Sequence, residues 1–216
     1  MILKLENIGY KYTSKSPQVL SGINCEFEKG VLYAVMGESG SGKTTLMSII
    51  AKLDKPGTGK IYYNGEDVAK LNPNKYRSNK VSVIFQQYNL LVNYTALDNL
   101  ITILNISGYK GDYRQRAAQL LNEVNLAPGK HGRLVQHLSG GEQQRVAIAR
   151  ALASDAEIIL ADEPTGNLDK TNSEKVMALF VTMKEKHNKC VILVTHSDIV
   201  AAYADKVVYI ENGVIK

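Results

Sequence analysis

Runs of apolar residues separated by polar segments indicate several buried β-strands. Val31 to Met36, Ile158 to Ala161 and Val191 to Val194 are continuous in apolar or aromatic residues. Strands of a parallel sheet are covered on both faces and carry such runs. Val81 to Phe85 predicts one more strand. We therefore expect a parallel sheet in the core of the fold.

A different pattern, in which apolar and polar residues alternate, predicts half-buried strands. Leu3 to Ile8 and Ile23 to Phe27 alternate in this way. Ile61 to Tyr63 leads into Asn64-Gly65, a strong signal for a two-residue hairpin turn. Val207 to Ile215 predicts a terminal hairpin. The sequence thus predicts a small antiparallel sheet beside the parallel one.

Residues 88 to about 150 change to helical periodicity. Apolar residues recur there at helical spacing, and Asp112 is a candidate N-cap. The recurring residues are Ala117, Leu120, Leu121 and Val124. A later series predicts a helix between two core strands: Val176, Leu179, Phe180 and Met183. We interpret 88–150 as an insertion into a core made of 1–87 and 151–216, within one domain spanning 1–216.

A glycine-rich stretch follows the Val31 to Met36 run and matches the pattern G-x-x-x-x-G-K-[ST] without a mismatch. Its residues are Gly37, Glu38, Ser39, Gly40, Ser41, Gly42, Lys43, Thr44 and Thr45. The strand before it and the helical run after it (Leu46 to Leu53) are the context that this motif requires. Glycines let backbone N–H groups turn towards phosphate oxygens, assisted by the positive end of the helix. We expect a bound nucleoside triphosphate, with Lys43 at its β and γ phosphates and Thr44 on Mg²⁺.

Polar side chains follow the other buried strands, at the sheet edge where ligands bind in open α/β folds. Asp162 and Glu163 come after the first of them. Because adjacent strand residues face opposite ways, we assign Asp162 to Mg²⁺ and Glu163 to the attacking water as general base. His196 follows the next strand and is expected to donate to the γ-phosphate. Gln86 ends a further strand, and we expect its amide to reach the Mg²⁺ and its waters.

A second candidate phosphate site lies in Leu138 to Gln143. Ser139 and Glu142 form an S-x-x-E capping box, which predicts that a helix begins here. Gly140 and Gly141 leave the N–H groups of the first turn open, so this helix end is a candidate anion site. Together with the phosphate loop, it predicts a nucleotide held from two sides.

Composition narrows the class of protein. The 216 residues are 44% hydrophobic and 22% charged, as in ordinary globular proteins. No apolar stretch approaches the roughly 20 residues of a membrane-spanning helix, and the first residues do not resemble a signal peptide. The net charge of +5 comes without a basic stripe interleaved with aromatics, so we expect no nucleic-acid partner. We interpret Cys25 and Cys190 as reduced core residues of a cytosolic protein.

The order of these motifs resembles that of ABC-transporter ATPases over essentially the whole chain. The order is the phosphate loop, Gln86, Leu138-Ser139-Gly140-Gly141-Glu142-Gln143, Ile158 to Glu163, Asn167-Leu168-Asp169 and Thr195-His196. Phe85 to Leu91 and Ala161 to Asp169 are similar to the MacB/LolD-like export group. Three positions depart mildly from the family: Glu38, Thr44 and Glu142 stand where proline, serine and glutamine are frequent.

The resemblance implies an α/β fold: a P-loop NTPase (RecA-like) core, a flanking antiparallel β subdomain and an inserted helical subdomain. It implies an ATPase that uses ATP and Mg²⁺ in a head-to-tail dimer. One copy's phosphate loop and the other copy's Ser139-Gly140-Gly141 would hold each ATP, and Asp169 would act across the interface. Tyr12 looks like the residue that stacks on adenine, with Tyr10 as the alternative. The implied partner is a separate membrane permease, which would hold the ATPase at the cytoplasmic face of the cell membrane.

Other functions are compatible with part of this chemistry. ABC ATPases of DNA repair, translation or chromosome architecture usually carry long coiled coils or two linked ATPase domains, and the sequence shows neither. The Leu138 to Gln143 motif disfavours a kinase or a GTPase, as does the lack of a guanine-reading Asn-Lys-x-Asp. An FtsE-type cell-division ATPase stays open as the alternative to an exporter of a drug, antimicrobial peptide, haem or lipoprotein.

Overall fold

The computed structural model describes residues 1–216 and contains two sheets. The strands are β1 (Leu3–Tyr10), β2 (Leu20–Phe27), β3 (Leu32–Met36), β4 (Thr58–Tyr63), β5 (Glu66–Asp67), β6 (Val81–Ile84), β7 (Ile158–Asp162), β8 (Cys190–Val194), β9 (Lys206–Glu211) and β10 (Val214–Ile215). The larger sheet has the order β10-β9-β3-β8-β7-β6, and the smaller has the order β2-β1-β4-β5.

The larger sheet is parallel except for its terminal hairpin. β3 pairs in parallel with β8 and β9, and β7 pairs in parallel with β6 and β8. All five residues of β3 and of β8 are buried, as their apolar runs predict. The carboxyl ends of these strands therefore meet at one edge of the sheet, where ligands bind in such folds.

The smaller sheet is antiparallel, and its pairings confirm the alternating patterns. β1 pairs with β2 and with β4, and β4 turns back into β5. Asn64 and Gly65 both have positive φ in the turn, as a two-residue hairpin with a primed turn requires. β9 and β10 form the predicted terminal hairpin.

Seven α-helices complete the fold. They are α1 (Lys43–Ile50), α2 (Pro73–Asn79), α3 (Ala96–Ser107), α4 (Tyr113–Glu123), α5 (Gly140–Ala153), α6 (Lys170–His187) and α7 (Asp198–Ala201). Asp112 caps α4 as predicted, because its carboxylate accepts from the N–H of Gln115 at 2.9 Å. α3, α4 and α5, which follow β6 and precede β7 along the chain, pack against one another.

Two apolar cores lie on opposite faces of the parallel sheet. Alternate residues of β7 show this: Ile159 belongs to the core of α3 to α6, and Leu160 to the core of α1 and the antiparallel sheet. Ile159 and Leu160 are both fully buried. The β7 strand and its neighbours are thus fixed from both sides, which holds the ends of the strands in place.

Three local predictions were wrong. α1 ends at Ile50 and not near Leu53, because Lys52 adopts a left-handed φ of 54°, and Leu53 is exposed. β6 ends one residue early, at Ile84. Cys25 is only partly buried, whereas Cys190 is buried as expected, and both thiols are free. No helix is long and apolar enough to span a membrane.

Candidate nucleotide-binding site

The phosphate loop connects the end of β3 to the first residue of α1. Gly37 and Gly42 both have positive φ, and a side chain would not fit at either. A Cβ on Gly37 would lie 2.2 Å from the carbonyl oxygen of Ile210, and one on Gly42 would lie 2.7 Å from Leu20 Cδ2. No side chain caps α1, so the N–H groups of its first turn are free to bind an anion.

Lys43 lies folded against this loop. Lys43 is only 8% exposed, and its Nζ donates to the carbonyl oxygens of Gly37 and Glu38 at 2.7 and 2.8 Å. The hydroxyl of Ser41 is also buried, and it has no hydrogen-bond partner. Buried polar groups are rarely left unpaired. Ser41 does not line the cavity beside the loop, whereas Lys43 does. The Lys43 ammonium and the open N–H groups at the start of α1 fit a bound phosphate chain.

Asp162 and Thr44 form the part of the site that suits a metal ion. The Thr44 hydroxyl donates to Asp162 Oδ2 at 3.1 Å. Burial raises the pKa of Asp162, and the neighbouring charge of Glu163 raises it further, against the opposing effect of the Thr44 bond. The Lys43 ammonium also lowers the pKa of Asp162, but burial prevails. A half-buried carboxylate beside a hydroxyl fits Mg²⁺, which keeps several waters and takes one or two protein carboxylates.

Glu163 lies beside the two polar residues that follow β8. One carboxylate oxygen is 2.6 Å from His196 Nδ1, and the other accepts from the Thr195 hydroxyl at 3.1 Å. Thr195 is fully buried, so it fixes that oxygen firmly. Glu163 does not continue the strand geometry of Asp162, because its φ is 44°. The prediction that the side chains of Asp162 and Glu163 face opposite ways was wrong, because both residues line one cavity.

This cavity, of about 700 Å³, joins the groups described so far. Its lining includes Glu38 to Gly40, Gly42 to Thr45, Gln86, Asp162, Glu163 and His196. Its size is that of an ordinary small-molecule site. The structure thus brings the predicted phosphate, metal and water-activating residues together at the carboxyl ends of the parallel strands.

The structure shows which of the two tyrosines, Tyr12 or Tyr10, borders the cavity. Tyr12 is 65% exposed, lines the cavity, and has its hydroxyl 2.8 Å from Thr45 Oγ1. Tyr10 is buried and donates to the carboxylate of Asp54, a bond that raises the pKa of the Tyr10 hydroxyl to about 12. The two rings meet edge to face at 5.3 Å. Only the Tyr12 ring borders the cavity.

Ser139, Gly140, Gly141 and Asp169 do not line this cavity. The predicted capping box is present: the Glu142 N–H donates to Ser139 Oγ at 3.4 Å, and the Ser139 N–H donates to Glu142 Oε2 at 3.0 Å. Ser139 and Gly140 are exposed. Asp169 caps α6 by accepting from the N–H of Asn172 at 2.8 Å, which lowers the pKa of Asp169. The second candidate phosphate site is therefore a separate surface of the same chain.

Two residues near the nucleotide site had no assigned role in the sequence interpretation. Val19 lines the cavity beside the phosphate loop, and only the fold brings it there. Thr195 holds Glu163. Its position directly after a buried strand, next to His196, was a usable signal.

A phosphate cradle at the end of a parallel strand, with a threonine and carboxylates beside it, defines a P-loop nucleotide-hydrolysing protein. The family profile described as ABC transporter matches residues 20–166. The chain belongs to the ABC transporter family, and it is an ATPase that binds ATP. Mg²⁺ is the usual metal of this family. The predicted family and fold are confirmed.

Relatives and solved structures agree with this assignment. The uncharacterized ABC transporter ATP-binding protein YclH of Bacillus subtilis is 40% identical over 98% of this chain and 94% of its own. The macrolide export ATP-binding/permease protein MacB of Chlorobaculum tepidum is 40% identical over 95% of this chain, which spans only 32% of MacB. The dimeric post-hydrolysis structure of the ATP-binding cassette MJ0796 of Methanocaldococcus jannaschii, with ADP and Pi, has a TM-score of 0.90 at 37% identity and covers 100% of this chain and 97% of that one.

Proposed function

We propose that this ATPase works as a head-to-tail dimer that drives a separate membrane permease of the exporter type. One observation carries the proposal: of the two candidate phosphate-binding sites, the phosphate loop lines the nucleotide cavity and Ser139, Gly140 and Gly141 do not. The second site, called the Ser139 surface here, consists of Ser139, Gly140 and Gly141 at the start of α5. Its first two residues are exposed, and Ser139 caps the helix, so this helix end is a candidate anion site. We infer that it contacts a nucleotide bound to another copy of the chain. The dimeric MJ0796 structure supports this arrangement.

The groups of the cavity divide into binding and metal-holding roles. The loop from Gly37 to Thr45 and the Lys43 ammonium bind the phosphates, and the exposed Tyr12 ring stacks on adenine. Thr44, Asp162 and Gln86 would hold Mg²⁺ with its waters. When bound, Mg²⁺ neutralises charge on the β and γ phosphates.

Glu163 acts as the general base of hydrolysis. Thr195 fixes one of its carboxylate oxygens by a hydrogen bond. The other oxygen, beside His196 Nδ1, takes the proton of the attacking water. His196 is exposed towards the cavity and donates to the γ-phosphate, which positions the reacting groups. Ser139, Gly140 and Gly141 of the second copy bind the same phosphate, and Asp169 lies at the interface between the copies.

The membrane partner is inferred from the relatives and from the sequence. The name of MacB gives both an ATP-binding and a permease function. YclH, of which this chain covers 94%, is named as an ABC transporter ATP-binding protein. We infer from the YclH name that the permease is a separate chain and that it holds the ATPase at the cytoplasmic face of the membrane. The helical part, 88–150, transmits opening and closing of the dimer to the permease.

Light scattering of the Glu163→Gln variant tests the dimer. With MgATP we expect a mass of twice 23.8 kDa. With MgADP and no added phosphate we expect a monomer, because ADP lacks the terminal phosphate that the Ser139 surface would bind. Adding Lys43→Ala should abolish the shift. A Glu163→Gln protein that stays monomeric at saturating MgATP contradicts the proposal.

Stimulation of ATP hydrolysis tests the permease. The tagged chain should co-purify with a polytopic membrane protein, and reconstitution with that protein in vesicles should raise the ATPase rate. If the ATPase rate and the affinity for ATP are the same with and without the co-purified protein, the coupling is refuted. A partner from the division machinery would favour the FtsE-type role over export.

A further inference from the structure

Lys130 and Glu142 form an ion pair at the base of the Ser139 surface. Lys130 ends the short 3-10 turn Pro128–Lys130, and its Nζ donates to Glu142 Oε1. The second oxygen of the same carboxylate accepts from the Ser139 N–H at 3.0 Å. The Glu142 side chain is 12% exposed and that of Lys130 is 34% exposed. The carboxylate is therefore largely removed from solvent, and the lysine that pairs with it is partly exposed.

The backbone that carries Lys130 is held in place. The Lys130 N–H donates to the carbonyl oxygen of Ala127 at 2.8 Å. The next residue, His131, is buried, with Nε2 2.9 Å from the carbonyl oxygen of Leu126. The His131 carbonyl oxygen accepts from the N–H of Leu97 at 3.0 Å. Lys130 thus reaches Glu142 from a fixed position.

A carboxylate at position 142 is both useful and costly. It completes the capping box of α5, and a negative charge in the first turn stabilises a helix. The same helix end, however, is the proposed site of the second copy's γ-phosphate, so an uncompensated Glu142 would repel that anion. Burial opposes ionisation of Glu142, but the bonds from Lys130 and the Ser139 N–H prevail and lower its pKa. Glutamine, which is frequent in the family here, is neutral and has no such cost.

We propose that Lys130 is a positioning residue of the composite ATP site. Its ammonium neutralises the Glu142 carboxylate, so that the Ser139 surface can accept the nucleotide triphosphate of a second copy. Lys130 also holds the carboxylate in the geometry that caps Ser139. This inference rests on the proposed dimer. According to this inference, dimerisation with MgATP requires Lys130 when residue 142 is glutamate and does not require it when that residue is glutamine.

A double-mutant cycle in the Glu163→Gln background tests the inference. The variants are Lys130→Met, Glu142→Gln and the two combined, and the measurement is the concentration for half-maximal dimerisation with MgATP. We expect Lys130→Met to raise that concentration about tenfold. In the Glu142→Gln background we expect the same change to have less than about a twofold effect. Lys110→Met, which removes an exposed lysine elsewhere on the chain, is the matched control.

ATP binding to the monomer shows whether Lys130→Met has damaged the fold. We expect that affinity to be unchanged, because Lys130 does not line the cavity. An equal loss of dimerisation in the glutamate and glutamine backgrounds overturns the inference, and so does no loss in either. A Glu163→Gln parent that fails to dimerise overturns the proposed function and the inference with it.

Discussion

Glu163→Gln is the change that most directly probes the chemistry of the site. The substitution keeps the size and shape of the side chain and removes its negative charge. The amide retains an oxygen that can accept from the Thr195 hydroxyl, now at 3.1 Å from Glu163. It can also still bond to His196, now 2.6 Å away. The variant therefore loses the proton acceptor and little else.

The expected losses differ strongly between catalysis and stability. A positioned general base contributes about 100- to 10,000-fold in rate, which corresponds to roughly 3 to 5 kcal/mol of transition-state stabilisation. The His196 side chain is 73% exposed, so its pairing with Glu163 stabilises the fold little. We expect the free energy of unfolding to change by about 1 kcal/mol or less, since the bond to Thr195 can be kept.

Phosphate release at saturating MgATP measures the first quantity, and urea unfolding measures the second. Glu66→Gln, at an exposed residue of β5 remote from the cavity lining, is the control for a lost carboxylate. A Glu163→Gln rate within about threefold of the parent refutes the assignment of the base. A rate loss accompanied by an equal loss of stability points to damage of the fold and equally contradicts the reasoning.

Three further changes test the rest of the site. Lys43→Ala should weaken ATP binding by at least about tenfold in a fluorescence titration, because it removes a buried charge-assisted donor to phosphate; unchanged affinity counts against the cradle. Tyr12→Ala should weaken ATP binding about five- to tenfold by loss of ring stacking, whereas Tyr12→Phe, which keeps the ring, should leave it nearly unchanged; unchanged affinity in Tyr12→Ala would contradict the assignment of adenine to Tyr12. Asp162→Asn should raise the Mg²⁺ concentration needed for hydrolysis, yet stabilise the nucleotide-free protein at neutral pH. The pKa of Asp162 is raised in the folded chain, so ionised Asp162 lowers the free energy of unfolding. The gain in that free energy from Asp162→Asn should vanish as the pH falls below the ordinary pKa of aspartate; equal urea midpoints at pH 7 would contradict this.

Local signals in the sequence were enough to predict much of the fold and the site. The buried runs of β3, β7 and β8 had the composition of a parallel sheet, and the phosphate loop had its strand and helix on either side. The Ser139 capping box and the Asn64-Gly65 turn are contacts between residues close in sequence. Each of these features is decided within a few residues, so periodicity and turn chemistry suffice to predict it.

The features that were missed depend on contacts between distant parts of the chain. Tyr10 and Tyr12 are equivalent in the sequence pattern. In the structure Tyr10 is buried and bonded to Asp54, whereas Tyr12 is exposed and lines the cavity. Glu163 follows β7 with a left-handed φ and bonds to Thr195. Glutamate does not favour that φ, so the residue type does not predict it. The pairing of Lys130 with Glu142 joins a turn to a helix. Such contacts follow from the packing of elements, which propensity does not encode.

Mixing two inactive variants tests most directly whether two copies share each nucleotide. Lys43→Ala removes the ammonium from both phosphate loops of a dimer. Ser139→Arg blocks both of its Ser139 surfaces. Each variant alone should therefore not hydrolyse ATP. In a mixed pair, one composite site carries both lesions and the other carries none. We predict that an equal mixture regains up to about a quarter of the parent rate, since about half of the random pairs are mixed and each has one intact site. A mixture that hydrolyses no more ATP than its separate components would contradict the shared site.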